Sequence, residues 1–231
     1  MRRYYIVRHG QTEYNMRHIV QGWCDSRLSG MGIHQADAAG KLLSAVRFDL
    51  VATGGQGRQI ETANHVIMQN KQKHMVPFRP YEGLREQYYG YYDGKPEEEY
   101  HNELAPLIAE KKDIPVSQAK DLHSVIQEGI ITMREMVELE GIVDYTHQAE
   151  TYEKVKKRCL NAFEQIRRAV PADETNVLLV SSGGLLSVLL YELTGDERGG
   201  LCMNHGGVTY LEEEEGIIYI RRYNVNPEEL L

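Results

Sequence analysis

The sequence predicts a three-layer α/β/α sandwich, with a mostly parallel sheet, an antiparallel hairpin at one edge and a helical cap insertion. Three observations carry this. Short β-branched and aromatic runs alternate with segments of helical periodicity, as in a parallel sheet covered on both faces. Two runs near the C-terminus pair naturally as a hairpin, which brings antiparallel pairing to one edge. A long polar helical stretch interrupts the alternation. The chain, 1–231, is expected to form one domain with 95–147 as a cap above the strand C-termini, where ligands usually sit in such sheets.

In chain order, residues 3–8 read as a buried strand that ends in Arg8-His9-Gly10. Ser29 is the expected N-cap of a helix to about residue 46, with Ala36, Ala39, Leu42, Leu43 and Val46 as its apolar stripe. Residues 48–53 read as a strand, 54–57 as a glycine turn, 58–69 as a helix and 76–79 as a short strand. Residues 84–95 are loop-like and rich in Tyr and Gly. Residues 97–140 read as helical and polar, broken near Pro106 and again at Asp113-Ile114-Pro115. Their stripe (Leu122, Val125, Ile126, Ile130, Met133, Met136, Val137) suits an amphipathic cap. Residues 150–170 form a further helix, 176–181 the most apolar strand, and Gly183-Gly184 open a helix to about 193. Residues 207–211 and 217–221 pair across 212–216, where four consecutive glutamates read as a solvated turn. Residues 227–231 read as a frayed end.

Composition narrows the class. The 231 residues are 42% apolar and 26% charged, ordinary for a globular protein rather than a disordered one. The net charge is −8 and no long basic run is present, which disfavours a nucleic-acid surface. No apolar run approaches the ~20 residues of a membrane helix, and the N-terminal run is too short for a signal peptide, so a cytoplasmic protein is expected. Cys24, Cys159 and Cys202 fit neither a disulfide framework nor a zinc site. An acidic protein that binds an anion must gather a few arginines and helix N-termini locally.

Arg8-His9-Gly10 answers that requirement. A histidine at a strand C-terminus can attack an electrophile, its neighbouring arginine can hold the oxygens, and Gly10 lets backbone approach a ligand. The triplet continues through Gln11-Thr12-Glu13-Tyr14-Asn15 to Gln21-Gly22-Trp23-Cys24-Asp25, Leu28-Ser29, Gly32 and Gln35-Ala36. Further on stand Arg58 with Thr62-Ala63, then Leu84-Arg85-Glu86 with Tyr89-Gly90 and Asp93-Gly94. Glu150-Thr151-Tyr152 with Arg158 and Val180-Ser181-Ser182-Gly183-Gly184 complete the set. In this order they resemble the histidine phosphatase superfamily, its phosphoglycerate mutase-like branch, over nearly the whole chain.

The resemblance implies a phosphatase acting on a small phosphorylated metabolite. Arg8 and Arg58 would hold the phosphoryl oxygens and His9 would become phosphohistidine. Glu86 would protonate the leaving group and then activate water. No metal or other cofactor is implied. Asn15, Gln21, Gly22, Tyr89, Gly183 and Gly10 match pocket positions, and Glu82 is a less favoured second candidate for the acid. The sequence departs from the family at three places. Ser182 stands where a second catalytic histidine is usual, Gly54 where a serine is usual, and Ile19 where an arginine is frequent, with Arg17 or His18 as stand-ins. Serine is a shorter, neutral donor, and losing one such donor costs roughly 10²–10³ in rate. His205, in the loop before the hairpin, is a candidate replacement. His18, His34, His65, His74, His101, His123 and His147 lack motif context and read as surface or packing residues. A weak or inactive relative that binds phosphorylated ligands, or a mutase, are the alternatives. Tyr88, Tyr91, Tyr92 and Tyr100 read as packing rather than substrate-stacking rings. A homodimer through the edge hairpin is open, though its glutamates would oppose close approach.

Overall fold

The computed structural model describes residues 1–71 and 75–229. Six strands form one sheet in the order β3-β2-β4-β1-β5-β6. They are β1 (Arg2–Arg8), β2 (Leu50–Thr53), β3 (Phe78–Pro80), β4 (Thr175–Ser181), β5 (Val208–Glu214) and β6 (Ile217–Val225). The first four run parallel, and β5 and β6 are antiparallel additions at one edge. Nine α-helices surround the sheet among the described residues: α1 (Glu13–Met16), α2 (Gly30–Leu42), α3 (Gly57–Met68), α4 (Glu97–Lys112), α5 (Val116–Ala119), α6 (Leu122–Gln127), α7 (Met133–Val143), α8 (Tyr152–Ala169) and α9 (Gly183–Thr194). None is long and apolar enough to cross a membrane.

The period-2 alternation of the buried strands divides the core into two layers. Tyr4, Ile6, Leu50, Ala52, Val177 and Leu179 pack with α8 and α9. Val7, Val51, Leu178 and Val180 face the other way, onto α2 and α3. The cap has its own cluster, in which Tyr100, Leu104, Ile108, Leu122, Val125 and Met136 meet Val20 and Tyr92. Register aligns the strand ends: Arg8 pairs with Ser181, and Thr53 with Val180. His9 N donates to Ser181 O at 2.9 Å. The residues that follow β1, β2 and β4 therefore emerge side by side.

Local chemistry sets the boundaries. Ser29 caps α2 by accepting from Gly32 N, but the helix ends at Leu42 rather than 46. Carbonyls in the segment that follows are taken instead by Asn70, which donates to Val46 O, and by Lys71 N, which donates to Ser44 O. Strand β3 begins two residues later than expected. Pro106 does not break α4, which runs unbroken to Lys112. One lost backbone bond is outweighed there by the buried face of Leu104, Ala105, Ile108 and Ala109. The break falls where the left-handed Asp113 precedes Pro115. Residues 227–229 form a 3₁₀ turn, with Pro227 buried and Glu228 accepting from His34, rather than a frayed end. His74 and residues 230–231 lie outside the described residues.

The glutamate run is the largest correction. Glu212, Glu213 and Glu214 belong to β5, and only Glu215 and Gly216 make the turn, both at positive φ. Alternation turns Glu213 inward, where it is 5% exposed. Three side chains hold it: Arg2 Nη1 at 3.0 Å, Arg167 Nη2 at 2.6 Å with its Nε at 3.3 Å, and Tyr4 Oη at 2.7 Å. Glu212 and Glu214 share Arg221 as an ion-pair partner across the hairpin. Glu213→Ala strands a buried hydroxyl and two half-covered guanidinium groups, and is expected to cost about 2 kcal/mol in urea unfolding.

Candidate active site

The sequence after β1 cannot continue as a strand, because Gly10 and Gly32 must pack backbone to backbone. A Cβ on Gly10 would lie 2.3 Å from Gly32 O. This closure seats His9 at 4% exposure, where its Nδ1 lies 2.8 Å from Gly10 O. A carbonyl only accepts, so Nδ1 carries the proton and Nε2 keeps its lone pair. Burial, followed by the charges of Arg58 and the neighbouring His205 and Arg8, holds the ring well below the usual histidine pKa. His9 is thus a neutral imidazole with a fixed tautomer.

Two arginines flank it. Arg8 lies against the start of α9, where a side chain on Gly183 would meet its guanidinium at 3.0 Å. Its Nη1 donates to Met203 O at 2.5 Å and to Cys202 Sγ at 3.3 Å, and its Nη2 to His205 Nε2 at 3.0 Å. Arg58, on the first turn of α3, is fully buried. It donates to Cys24 O and Asp25 Oδ1, both at 3.0 Å, to Gly22 O at 2.9 Å and, more weakly, to Gln56 and Ser182. Both arginines nonetheless leave Nε buried without a hydrogen-bond partner. An unpaired buried donor on a cation costs free energy that an arriving anion recovers.

Glu86 stands opposite, 5% exposed, with its carboxylate on the N-terminus of α9. Gly184 N and Leu185 N donate to it at 3.0 and 2.8 Å, and Gln87 N at 2.8 Å. Its loop is clamped by Arg158, which donates to the carbonyls of Gly83, Arg85 and Glu86 while pairing with Glu150. That gives the Glu150/Arg158 motif a positioning task.

A cavity of about 190 Å³ lies between these groups and the cap. Arg8, His9, Asn15, Gln21, Glu86, Tyr89 and Gly183 line it together. Asn15 accepts from Thr12 through its amide oxygen, and Gln21 is tied to Thr12 and Ser26. The remaining expected residues stand one layer back, among them Gly10 and the fully buried Arg58, neither of which is on the cavity wall. Gly22 is a close-approach glycine whose carbonyl anchors Arg58, because a Cβ there would strike Gln87 O at 2.4 Å. Glu82 lines a different cavity, with Arg79 and Arg158. His18 pairs with Glu97 outside the cavity. His205 is not on the cavity wall: its Nε2 is taken by Arg8, so it acts behind that arginine rather than as a direct donor.

Ser182 also differs from the expectation. It is fully buried, absent from the cavity wall, and accepts from Gln59 Nε2 at 2.9 Å and Arg58 Nη2 at 3.4 Å. The departure at Gly54 has a steric cause: a Cβ there would lie 2.4–2.5 Å from Leu84 O, Arg85 N and Gln59 Oε1. Gln56, the N-cap of α3, and Gln59 on its first turn are hydrogen-bonded to each other, and Gln59 fills the space between Gly54 and Ser182.

The cap supplies residues that the sequence reading left out of the site. Glu97, Tyr100, His101, Leu122, Ile126, Met133, Met136 and Glu140 complete the wall with Val20, Gly184 and Cys202 from outside the cap. Glu140 had a readable signal, a charge on the face that Met133, Met136 and Val137 share at helical spacing. It accepts from Tyr100 Oη and Gln87 Nε2, and burial pushes its carboxyl up to about 7. The other tyrosines pack: Tyr88 on Trp23 and Tyr91 on Tyr145, with ring centroids 4.9 and 4.5 Å apart.

The family model of the histidine phosphatase superfamily (branch 1) matches residues 4–141 and 134–226. Fructose-2,6-bisphosphatase TIGAR of Xenopus laevis is 41% identical over 92 residues, 39% of this chain and 34% of that protein. Phosphoglycerate mutase of Candida albicans is 34% identical over 116 residues, 48% of this chain and 46% of that protein. The matches therefore span less than half the length of these curated relatives. The crystal structure of phosphoglycerate mutase from Bacillus anthracis str. Sterne superposes with a TM-score of 0.81 at 26% identity, covering 96% of this chain and 92% of the other. On the family match over nearly its full length, the chain belongs to the histidine phosphatase superfamily.

Proposed function

We propose that the chain hydrolyses a small phosphomonoester through a phosphohistidine on His9. The observation that supports this most is the pair of unpartnered Nε donors, on Arg8 and Arg58, beside a neutral histidine whose Nε2 carries a lone pair. The two guanidinium groups take the phosphoryl oxygens. His9 Nε2 attacks phosphorus in line as the P–O bond to the leaving group breaks. Glu86, as the carboxylic acid, gives that oxygen its proton. Water then attacks phosphorus, the P–N bond breaks, Glu86 takes the proton back, and inorganic phosphate leaves. Asn15 and Gly183 border the phosphoryl position, and His205 holds Arg8 in place.

The burial of Ser182 behind the wall favours a second reading, a slow hydrolase that mainly retains phosphorylated ligands. One experiment separates them: hydrolysis of an aryl phosphate in EDTA, with the protein quenched in acid and in alkali. Steady release of phosphate with an alkali-stable, acid-labile phosphoprotein is the expected result. No turnover and no phosphoprotein across a broad phosphomonoester panel would overturn it and leave the binding reading. Turnover that requires added bisphosphoglycerate and releases no phosphate would point to a mutase.

A further inference from the structure

The wall of the cavity is unevenly charged. Among the described residues, Arg8 is the only permanently cationic side chain on the wall. Its Nη1 and Nη2 are committed to Met203, Cys202 and His205, which leaves Nε for one anion. The other charged side chains that line it are acidic: Glu86, Glu97 and Glu140. His101 adds no cation, because burial lowers its pKa. The rest of the cap wall is apolar, from Val20, Leu122, Ile126, Met133 and Met136, with the hydroxyls of Tyr89 and Tyr100 between.

A phosphoryl group at His9 uses the only cationic donors. A second anion on the leaving group would meet three carboxylates and no arginine or lysine. A cation would not gain from Glu140 what three carboxylates suggest. The oxygens of that carboxylate are already engaged by Tyr100 and Gln87. We infer that the site takes phosphomonoesters whose leaving group is uncharged and presents apolar surface to the cap. This rests on the phosphatase reading and specifies its substrate class.

The test uses phosphonates, which bind without turning over, so a failure of hydrolysis and a failure of this inference remain distinct. Calorimetric Kd values are compared at pH 8 for benzylphosphonate, 4-carboxybenzylphosphonate and 4-(aminomethyl)benzylphosphonate. The carboxylate is expected to weaken binding at least about tenfold, and the ammonium to leave it within about threefold. Glu140→Gln is expected to shrink the carboxylate penalty at least about threefold. Gln87 can turn its amide oxygen, which lacks a partner, toward the new NH₂. Glu138→Gln, an exposed change of equal charge on the same helix, is the control and should leave the ratio unchanged. Equal or tighter binding of the carboxylate overturns the inference. So does a tenfold preference for the ammonium, a ratio that Glu140→Gln leaves unmoved, or no binding of any of the three. The wild-type comparison decides even where the variant fails to fold.

Discussion

His9→Ala is expected to lower hydrolysis of any phosphomonoester by at least about 10⁴-fold and to abolish the acid-labile phosphoprotein. The expectation is this large because no other group can replace the nucleophile. His205, the nearest imidazole, has its ring centroid 5.6 Å away and its Nε2 bonded to Arg8. Cys202 reaches the cavity, but Arg8 Nη1 lies against its sulfur. The substitution should leave the fold intact, since Gly10 and Gly32, not the imidazole, close the turn. The same environment makes a spectroscopic prediction. The histidine pKa is depressed, so the ring stays neutral through the range in which free histidine titrates and gains its proton only at lower pH. The His9 Cε1–H resonance should therefore not move between pH 8 and pH 6. An inflection near 6.5 would mean that the ring is solvated and is not held as the nucleophile described here.

How much of this was legible beforehand depended on whether a residue acts locally or across the fold. The strands were readable because β-branched runs buried on both faces have few alternatives. The Ser29 cap and the Gly183 helix start were readable from local chemistry. Residues placed by register at neighbouring strand ends, His9 beside Ser181 and Ser182, were legible only through the motif. The glutamate run misled because composition alone does not show alternation: Glu213 is buried by two arginines and a tyrosine that lie far from it in sequence. Pro106 misled for the converse reason, that tertiary burial overrides a local breaker. The cap wall was hardest. Its stripe was identified, but a stripe does not say which of its members face a core and which face a cavity. Met136 does both, and on its helix the charge of Glu140 marked the face that meets the cavity.

Ser182→His is the substitution that restores the family's usual residue, yet alone it is expected to bring no gain in rate and to destabilise the fold by about 2 kcal/mol. The side chain at 182 is fully buried, and its Oγ sits 2.9 Å from Gln59 Nε2. An imidazole must enter space that Gln59 holds, and overpacking of this kind costs about 1–3 kcal/mol. It would also displace a hydroxyl that accepts from Arg58, disturbing one of the two cations that the phosphoryl group needs. Room exists only if Gln59 withdraws, because Gly54 on the far side is closed by the backbone at Leu84 and Arg85. The double variant Gln59→Ala/Ser182→His removes about as many heavy atoms as the second histidine adds. It is expected to recover most of the lost stability and to exceed the wild-type kcat on an aryl phosphate by roughly 10²-fold, the worth of one transition-state donor. Gln59→Ala alone should give no such gain, so the two changes must be strongly non-additive. A full gain from Ser182→His alone would show that Gln59 is no obstacle. No gain from the double variant would mean that Arg8, supported by His205, already supplies the charge that the histidine provides in relatives. Gln56 at the N-cap of α3, Gln59 on its first turn, the glycine at 54 and the serine at 182 are then one coupled packing solution, and no single position among them can revert by itself.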